Sequence, residues 1–516
     1  MDLKISAYLD KMRACWLGKN IGGTLGAPFE SQRGVIDLDY YTHDLSLGVL
    51  PNDDLDLQLA FLIACEAYGK NVNSEVLANY WLTHIFPDVG EYGMGKRNLR
   101  AGILPSASGK HHNSFGQSNG AWIRSEIWAC LNPGHPELAA HYAYEDACVD
   151  HFGEGIYAEV FCAAIQSAAF VESDMELLID IGLSYIPADC GIARVVEFVR
   201  KCAADKSLNW KIARKKLLQA FPSSFGSRPL PGQKLDPEVP FGPHGYDAPA
   251  NIGIVLLGHY YGGGDFSRAI CITAGCCEDA DCTTGTLGAL YGIIGGTASI
   301  HEKWLAPIGD EIKTKYVDTT KLHVAKTVTE LTERILHLMP VFLHARYWEG
   351  KMQKNISIGE NGELTIHAKE GRALACPAKE LGYRKVEYFR DTLYADRMCI
   401  RRESPFFEVR AITDTLDLEE GKPFVIDLDI LGKYGYFQRS DWNTVILHLP
   451  AEWETPDGRE VMFQMDLPWH KKFYTISFVP RELKQASYEV MLEIRLATFP
   501  SRIYIPLTLT RMLKPR

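Results

Sequence analysis

Glu278-Asp279-Ala280-Asp281-Cys282-Thr283-Thr284-Gly285-Thr286-Leu287-Gly288-Ala289-Leu290-Tyr291-Gly292 sets two carboxylates one residue apart, then small and apolar residues at helical spacing. Gly285 with Ala289, and Gly288 with Gly292, lie four apart. They share one helix face and let another backbone come close. The aspartates then stand at the entrance of a tightly packed helix. Its N-terminus favours negative charge, but only to the extent of about half an elementary charge. Two carboxylates in so apolar a setting need more: a shared proton, a basic side chain or a metal cation. No Lys or Arg follows before Lys303, which points to a metal and to a second acidic cluster completing its site.

That cluster is Pro51-Asn52-Asp53-Asp54-Leu55-Asp56, about 225 residues upstream. Leu55, Leu59, Leu62 and Glu66 keep helical spacing, so these acids also precede or open a helix. One Asp as an N-cap is common and adds about 1 kcal/mol. Three acids in four residues exceed what a cap needs. Together the clusters favour a carboxylate-lined site for a hard cation, formed if the two helices pack side by side.

Residues 5–20 read as a helix with Tyr8, Met12, Cys15 and Trp16 on one face, running into Gly18-Lys19-Asn20-Ile21-Gly22-Gly23-Thr24-Leu25-Gly26-Ala27-Pro28-Phe29-Glu30. These glycines suit close helix packing. Phosphate binding is the alternative, but GxGxxG, a Walker sequence and a preceding strand are all missing. Residues 86–120 read as an irregular Gly-, Ser- and His-rich segment, and 121–170 as helical, with Asp146 and His151 a candidate buried hydrogen-bonded pair. Seven prolines make 222–250 a long loop. Helices are expected over 251–259, 266–277 and 320–339, the last with Val324, Val328, Leu331, Ile335 and Leu338 on one stripe.

Beyond Trp348 the texture changes. Residues 406–412, 424–430, 444–449, 474–478, 488–496 and 503–509 alternate apolar and polar, as in an antiparallel β-sandwich of about 150 residues. Trp442, Trp453 and Trp469 could form a sugar platform there, core packing being the simpler role. The expected division is a helical catalytic domain over 1–345 and a β-sandwich accessory domain over 346–516.

A length of 516 residues calls for two or more domains, since single cores rarely grow past roughly 250–300 residues. A hydrophobic fraction of 46% and a charged fraction of 23% are those of an ordinary globular protein. The net charge of −11 argues against a nucleic-acid partner. Thirteen scattered cysteines without a CxxC pair suit reduced, buried thiols and a cytoplasmic protein. Met1-Asp2-Leu3-Lys4 lacks the features of a signal peptide, and no run of about 18 apolar residues predicts a membrane partner.

With those motifs in place, residues 8–310 resemble the ADP-ribosylglycohydrolase family, the relatives of the dinitrogenase-reductase-activating glycohydrolase. The family's opening glycine segment ending in Glu matches Gly22 to Glu30, and its Thr-Asp-Asp-Thr falls on Asn52-Asp53-Asp54-Leu55. Its Asp/His/Gly segment matches Asp146, His151, Gly153 and Gly155; its Asp-x-Asp-Thr falls on Asp279-Ala280-Asp281-Cys282. The Ile-Pro-x-x-Trp ending has an echo in Ile300 to Trp304.

The resemblance implies an all-α orthogonal bundle with two Mg²⁺ ions in a cleft. Asp53, Asp54, Asp279 and Asp281 would hold them, with Asn52 at the first Thr position and Glu30 as a mobile glutamate. Leu55 and Cys282 replace the hydroxyl ligands that close the two motifs, so one ion or two are both open, and Mn²⁺ is an alternative to Mg²⁺. Thr283 offers a hydroxyl one residue late, and Asp56 an extra carboxylate. Glu30, Asp53 and Asp54 are the candidate catalytic acids; His151, Gly153, Gly155 and Asn251 would face the substrate. The implied activity is metal-dependent hydrolysis of a ribosyl-type bond in an ADP-ribosyl compound, small or protein-linked. A nucleoside or furanoside hydrolase and a non-catalytic, crystallin-like relative are the rivals, and a homo-oligomer is compatible with all three.

Overall fold

The computed structural model describes residues 1–101, 103–343, 346–348, 351–353, 355–359, 361–376, 398–404, 407–432, 441–465, 471–496 and 502–512. They fall into two units, one made of Met1–Lys96 and Asn113–Tyr394, the other of Arg97–His112 and Ala395–Arg516. Sixteen α-helices are described, all before residue 343, and a β-rich region with several sheets follows.

In the first unit the opening helix, Ile5–Gly26, continues through the glycine run, six residues past its expected end. It packs lengthwise against Ala280–Gly295, the helix of the second acidic motif. A Cβ on Gly22 would overlap the Thr284 carbonyl, and one on Gly288 the Gly18 carbonyl. The glycines are there because two backbones touch. Asp53–Tyr68 forms the other acid-headed helix, capped by Asn52, whose Oδ1 accepts from Asp54 N at 2.9 Å.

Two expected outlines change. Residues 86–120 contain the helices Gly90–Arg100 and Ala107–Lys110. Tyr92, Lys96 and Leu99, at helical spacing, are buried; a Cβ on Gly93 would overlap the Asp88 carbonyl, and one on Gly95 would press on Asp150. The helix expected over 320–339 runs from Val328 to Phe342, because Thr327 caps it by accepting from Glu330 N at 3.1 Å; Val324 is buried outside it.

Past that helix the chain returns to its beginning. Asp2–Lys4 pairs with Leu364–His367, which pairs with Ile356–Ile358 in one antiparallel sheet. The 345/346 boundary expected from the sequence therefore falls inside the first unit.

The second unit holds a five-stranded sheet ordered Asp417–Leu418, Arg502–Arg511, Ser487–Leu496, Asp441–His448 and Glu460–Met465. A four-stranded sheet runs Lys471–Phe478, Phe424–Gly432, Phe407–Thr413 and Met398–Glu403. Both contribute to one apolar core, which includes Val409, Ile426, Val445 and Leu492. Ile103 and Ala107 join the same core from the Arg97–His112 segment. Trp453 is buried in it, stacked on Phe478 at 5.3 Å, so it is no sugar platform. Trp469, Phe406 and the Trp442 side chain lie outside the described residues.

Candidate active site

Asp279 and Asp281 owe their place to the residue before them. Cys277 and Glu278 both adopt left-handed backbone (φ +59° and +65°), costly for side-chain-bearing residues. The turn is held from all sides. Arg33 grips the Glu278 carboxylate through Nε (2.7 Å) and Nη2 (3.0 Å), and Arg214 and the Gly226 N–H add further bonds. Glu278 N donates to Gln32 O at 2.8 Å and Ser31 N to Glu278 O at 2.9 Å, which ties the Glu30 segment to the start of the acid helix. Asn251, fully buried, accepts from Asp279 N through Oδ1 (3.4 Å) and donates to Asp247 O (3.1 Å).

The two acidic helix starts meet. Burial raises the Asp281 carboxyl well above the usual range, and the charges of Glu30, Asp279, Asp54 and Asp53 push it further. Asp279 is raised the same way, by burial first and then, among other charges, by Glu30 and Asp54. Asp53 is raised to about 6 by burial and by Asp54, and accepts from Tyr92 Oη at 3.2 Å. Glu30 is exposed at the rim, yet desolvation and then Asp53 raise it, while Lys315 and Arg228 pull it back. Five carboxylates thus share one electrostatic neighbourhood, drawn from three segments of the chain.

Lys19, from the opening helix, lies against the same group. Its Nζ is 2.8 Å from Asp54 Oδ2 and 3.1 Å from Glu126 Oε1, all three side chains being fully buried. Burial opposes its charge, but Asp54 and Glu126 more than offset that and hold it protonated. Cys282 donates from Sγ to Asp54 Oδ1 at 3.1 Å; burial and then the surrounding aspartates keep its thiol neutral.

Against this geometry, a family model described as ADP-ribosylglycohydrolase matches residues 5–341. The chain belongs to the ADP-ribosylglycohydrolase family. No curated protein matches it. Membership supports glycohydrolase chemistry, and the β-rich region beyond 341 lies outside the match.

Within this ADP-ribosylglycohydrolase frame the expected site residues take distinct places. Asn52 spends Oδ1 on its helix cap. Thr283 donates its hydroxyl to Asp279 O at 2.8 Å, inside its own helix. Asp56 accepts from the backbone N–H groups of Lys315 (2.7 Å) and Tyr316, fixing that loop. Asp146 and His151 are not a pair. Asp146 takes Arg124 Nε (2.9 Å) and Trp128 Nε1 (3.0 Å), whereas His151 Nδ1 faces Asp150 at 2.8 Å and Nε2 meets Ser118 Oγ at 3.3 Å. Gly153 (φ +52°) precedes the helix Glu154–Ala169, and a Cβ on Gly155 would press on His151 and the Gly116 carbonyl. The Asp/His/Gly segment thus forms a buried wall, joined to the acids through Glu91, whose carboxyl feels both His151 and Asp53.

Sequence reasoning missed Lys19 as a partner of Asp54, and with it Glu126, Glu278 with Arg33, Tyr92, Lys315 and Arg228. Lys19 lies among the apolar and glycine residues of the opening helix, and its acids lie 35 and 107 residues away. Asp54 is marked by its acidic cluster, but nothing in the sequence ties Lys19 or Glu126 to it.

The donor set suits a hard divalent ion. Asp279 Oδ1 and Asp281 Oδ1 are buried without a hydrogen-bond partner, in residues 1% and 5% exposed. Uncompensated buried carboxylate oxygens are costly unless a cation or proton meets them. Among the described residues, Asp54, Asp281 and Cys282 bring one ligand atom each within 4.8 Å of one another, a candidate metal group.

Proposed function

We propose that this chain is a divalent-metal-dependent glycoside hydrolase acting on a ribosyl-type bond of an ADP-ribosyl compound. The observation that carries the reading is the meeting of Glu30, Asp53, Asp54, Asp279 and Asp281, with Asp279 Oδ1 and Asp281 Oδ1 left unpaired. Asp53, Asp279 and Asp281 would hold the ion, bordered by Asp54 and Cys282, and Mg²⁺ or Mn²⁺ suits such oxygen donors. When bound, such an ion supplies Lewis acidity toward sugar hydroxyls and water.

The protein's own groups handle the proton. Glu30 is solvent-reachable and its pKa is raised, the properties of a base that takes a proton from water attacking the anomeric carbon. Asp53, oriented by Tyr92, is the alternative base. Lys315 and Arg228, both exposed and both within the field of Glu30, give the rim positive charge suited to a diphosphate. Lys19 and Arg124, by contrast, are buried in ion pairs and present no charge to a substrate. This favours an ADP-ribosyl substrate over a plain nucleoside.

Asp281→Ala should lose both Mn²⁺ binding and turnover, read by equilibrium dialysis and an ADP-ribose release assay. Unchanged turnover in a folded Asp281→Ala protein removes the proposal. Assaying ADP-ribosyl-protein, O-acetyl-ADP-ribose, nucleosides and aryl furanosides side by side separates the substrate readings. The unpaired buried acids weigh against a non-catalytic scaffold; a Mn²⁺-soaked crystal without an anomalous peak at the acids would favour it.

A further inference from the structure

Resting on the metal-dependent reading above, we infer that Lys19 is a resident cation of the acidic centre, which leaves the chain room for one divalent ion and not two. The ammonium is surrounded as a small cation would be. Nζ lies 2.7 Å from Ile123 O, 2.8 Å from Asp54 Oδ2, 3.1 Å from Glu126 Oε1 and 3.2 Å from Thr286 Oγ1. Three N–H donors face four oxygens, so no donor is left for substrate.

The lysine's neighbours are engaged as well. Glu126 takes Gln58 Nε2 on Oε2 (2.9 Å) and Gln166 Nε2 on Oε1 (3.2 Å). Asp54 has Lys19 on one oxygen and the Cys282 thiol on the other. Leu55 beside it has no donor atom, and Thr283 has turned its hydroxyl to the backbone. On this side of the centre the ligands a second ion needs are absent or engaged, and a fixed positive charge stands in their midst. Asp279 Oδ1 and Asp281 Oδ1, by contrast, stay unpaired, and Asp53 Oδ2 accepts from Tyr92. Lost ligands and added charge coincide: Lys19 neutralises Asp54 where hydroxyl-assisted ion binding is gone.

The full-length chain, stripped with chelator and dialysed against Mn²⁺, provides the test through metal counting and electron paramagnetic resonance. Wild type should hold one Mn²⁺ per chain and give the six-line spectrum of an isolated ion. Two ions per chain, or a spin-coupled spectrum, would overturn the inference while leaving the metal-dependent reading intact; no bound ion would overturn both. Lys19→Ala, which opens space beside Asp54 and Glu126, should raise the count to two. A folded Lys19→Ala protein that still binds one ion would refute the role given to Lys19. Should that variant fail to fold, the wild-type count and spectrum decide alone.

Discussion

Asp150 is fully committed to one pair of neighbours. Burial acts against its charge, but Arg124 and then His151 outweigh it and bring its pKa down to about 2. An Asp in an unfolded chain titrates near 3.9. A depressed folded pKa gives stability that is present above pH ~4 and lost as pH falls toward 2, worth about 2 kcal/mol. Asp150→Asn should therefore be less stable than wild type at pH 6, and the gap should narrow by about that amount between pH 5 and pH 2 in urea titrations. A gap that stays constant across this range would mean the ion pair is not what holds Asp150 charged. The same logic explains what was and was not legible at this scale. Asp53, Asp54, Asp279 and Asp281 stood out because paired acids beside apolar helix starts have few bland explanations. Lys19 did not, since its role depends on Asp54 and Glu126 arriving from elsewhere.

At the scale of elements, the opening helix and Ala280–Gly295 form the pair on which the centre depends. Gly22 meets the Thr284 carbonyl, and Gly26 meets the Ala280 carbonyl just ahead of Asp281. Gly22→Ala should force the two helices apart, costing about 1–3 kcal/mol, and should also weaken Mn²⁺ binding because Asp281 moves with its helix. Calorimetry and metal titration on the same sample check both; a lowered melting temperature with unchanged Mn²⁺ affinity would separate packing from site geometry. The small-residue spacing that announced this contact was readable because helices bury faces at fixed intervals. The same residue type misled in Gly90–Arg100, where Gly93 and Gly95 mark close neighbours and not a break in the helix. In the β-rich unit six strands followed from alternation, while the two-residue Asp417–Leu418, Met398–Glu403 and Glu460–Met465 were missed. Asp417–Leu418 is too short to alternate; Met398–Glu403 carries Arg401, Arg402 and Glu403 in a row, and Glu460–Met465 exposes Met462, so these two do not alternate cleanly.

At the scale of the molecule, the β-rich unit is not a simple tail. Arg97–His112 belongs to it, and Ile103, only 5% exposed, sits in its core. Ile103→Asp should therefore loosen strands about 300 residues away in sequence, by more than about 3 kcal/mol, because a lone carboxylate would replace a core side chain. Hydrogen exchange should quicken in Phe407–Thr413 while Ala280–Gly295 stays protected; the reverse pattern would contradict the assignment of this segment. No sequence pattern announced this, since a short Gly- and Ser-rich stretch carries no mark of the partner it will meet.

The interleaving has a consequence for synthesis. When Arg97–His112 leaves the ribosome, the strands that share its core are still roughly 280 residues from being made. At about 5–20 residues per second that is a wait of roughly 15–60 s. Throughout this interval the nascent chain carries Ile103 and Ala107 with no core to receive them, an opening for a chaperone.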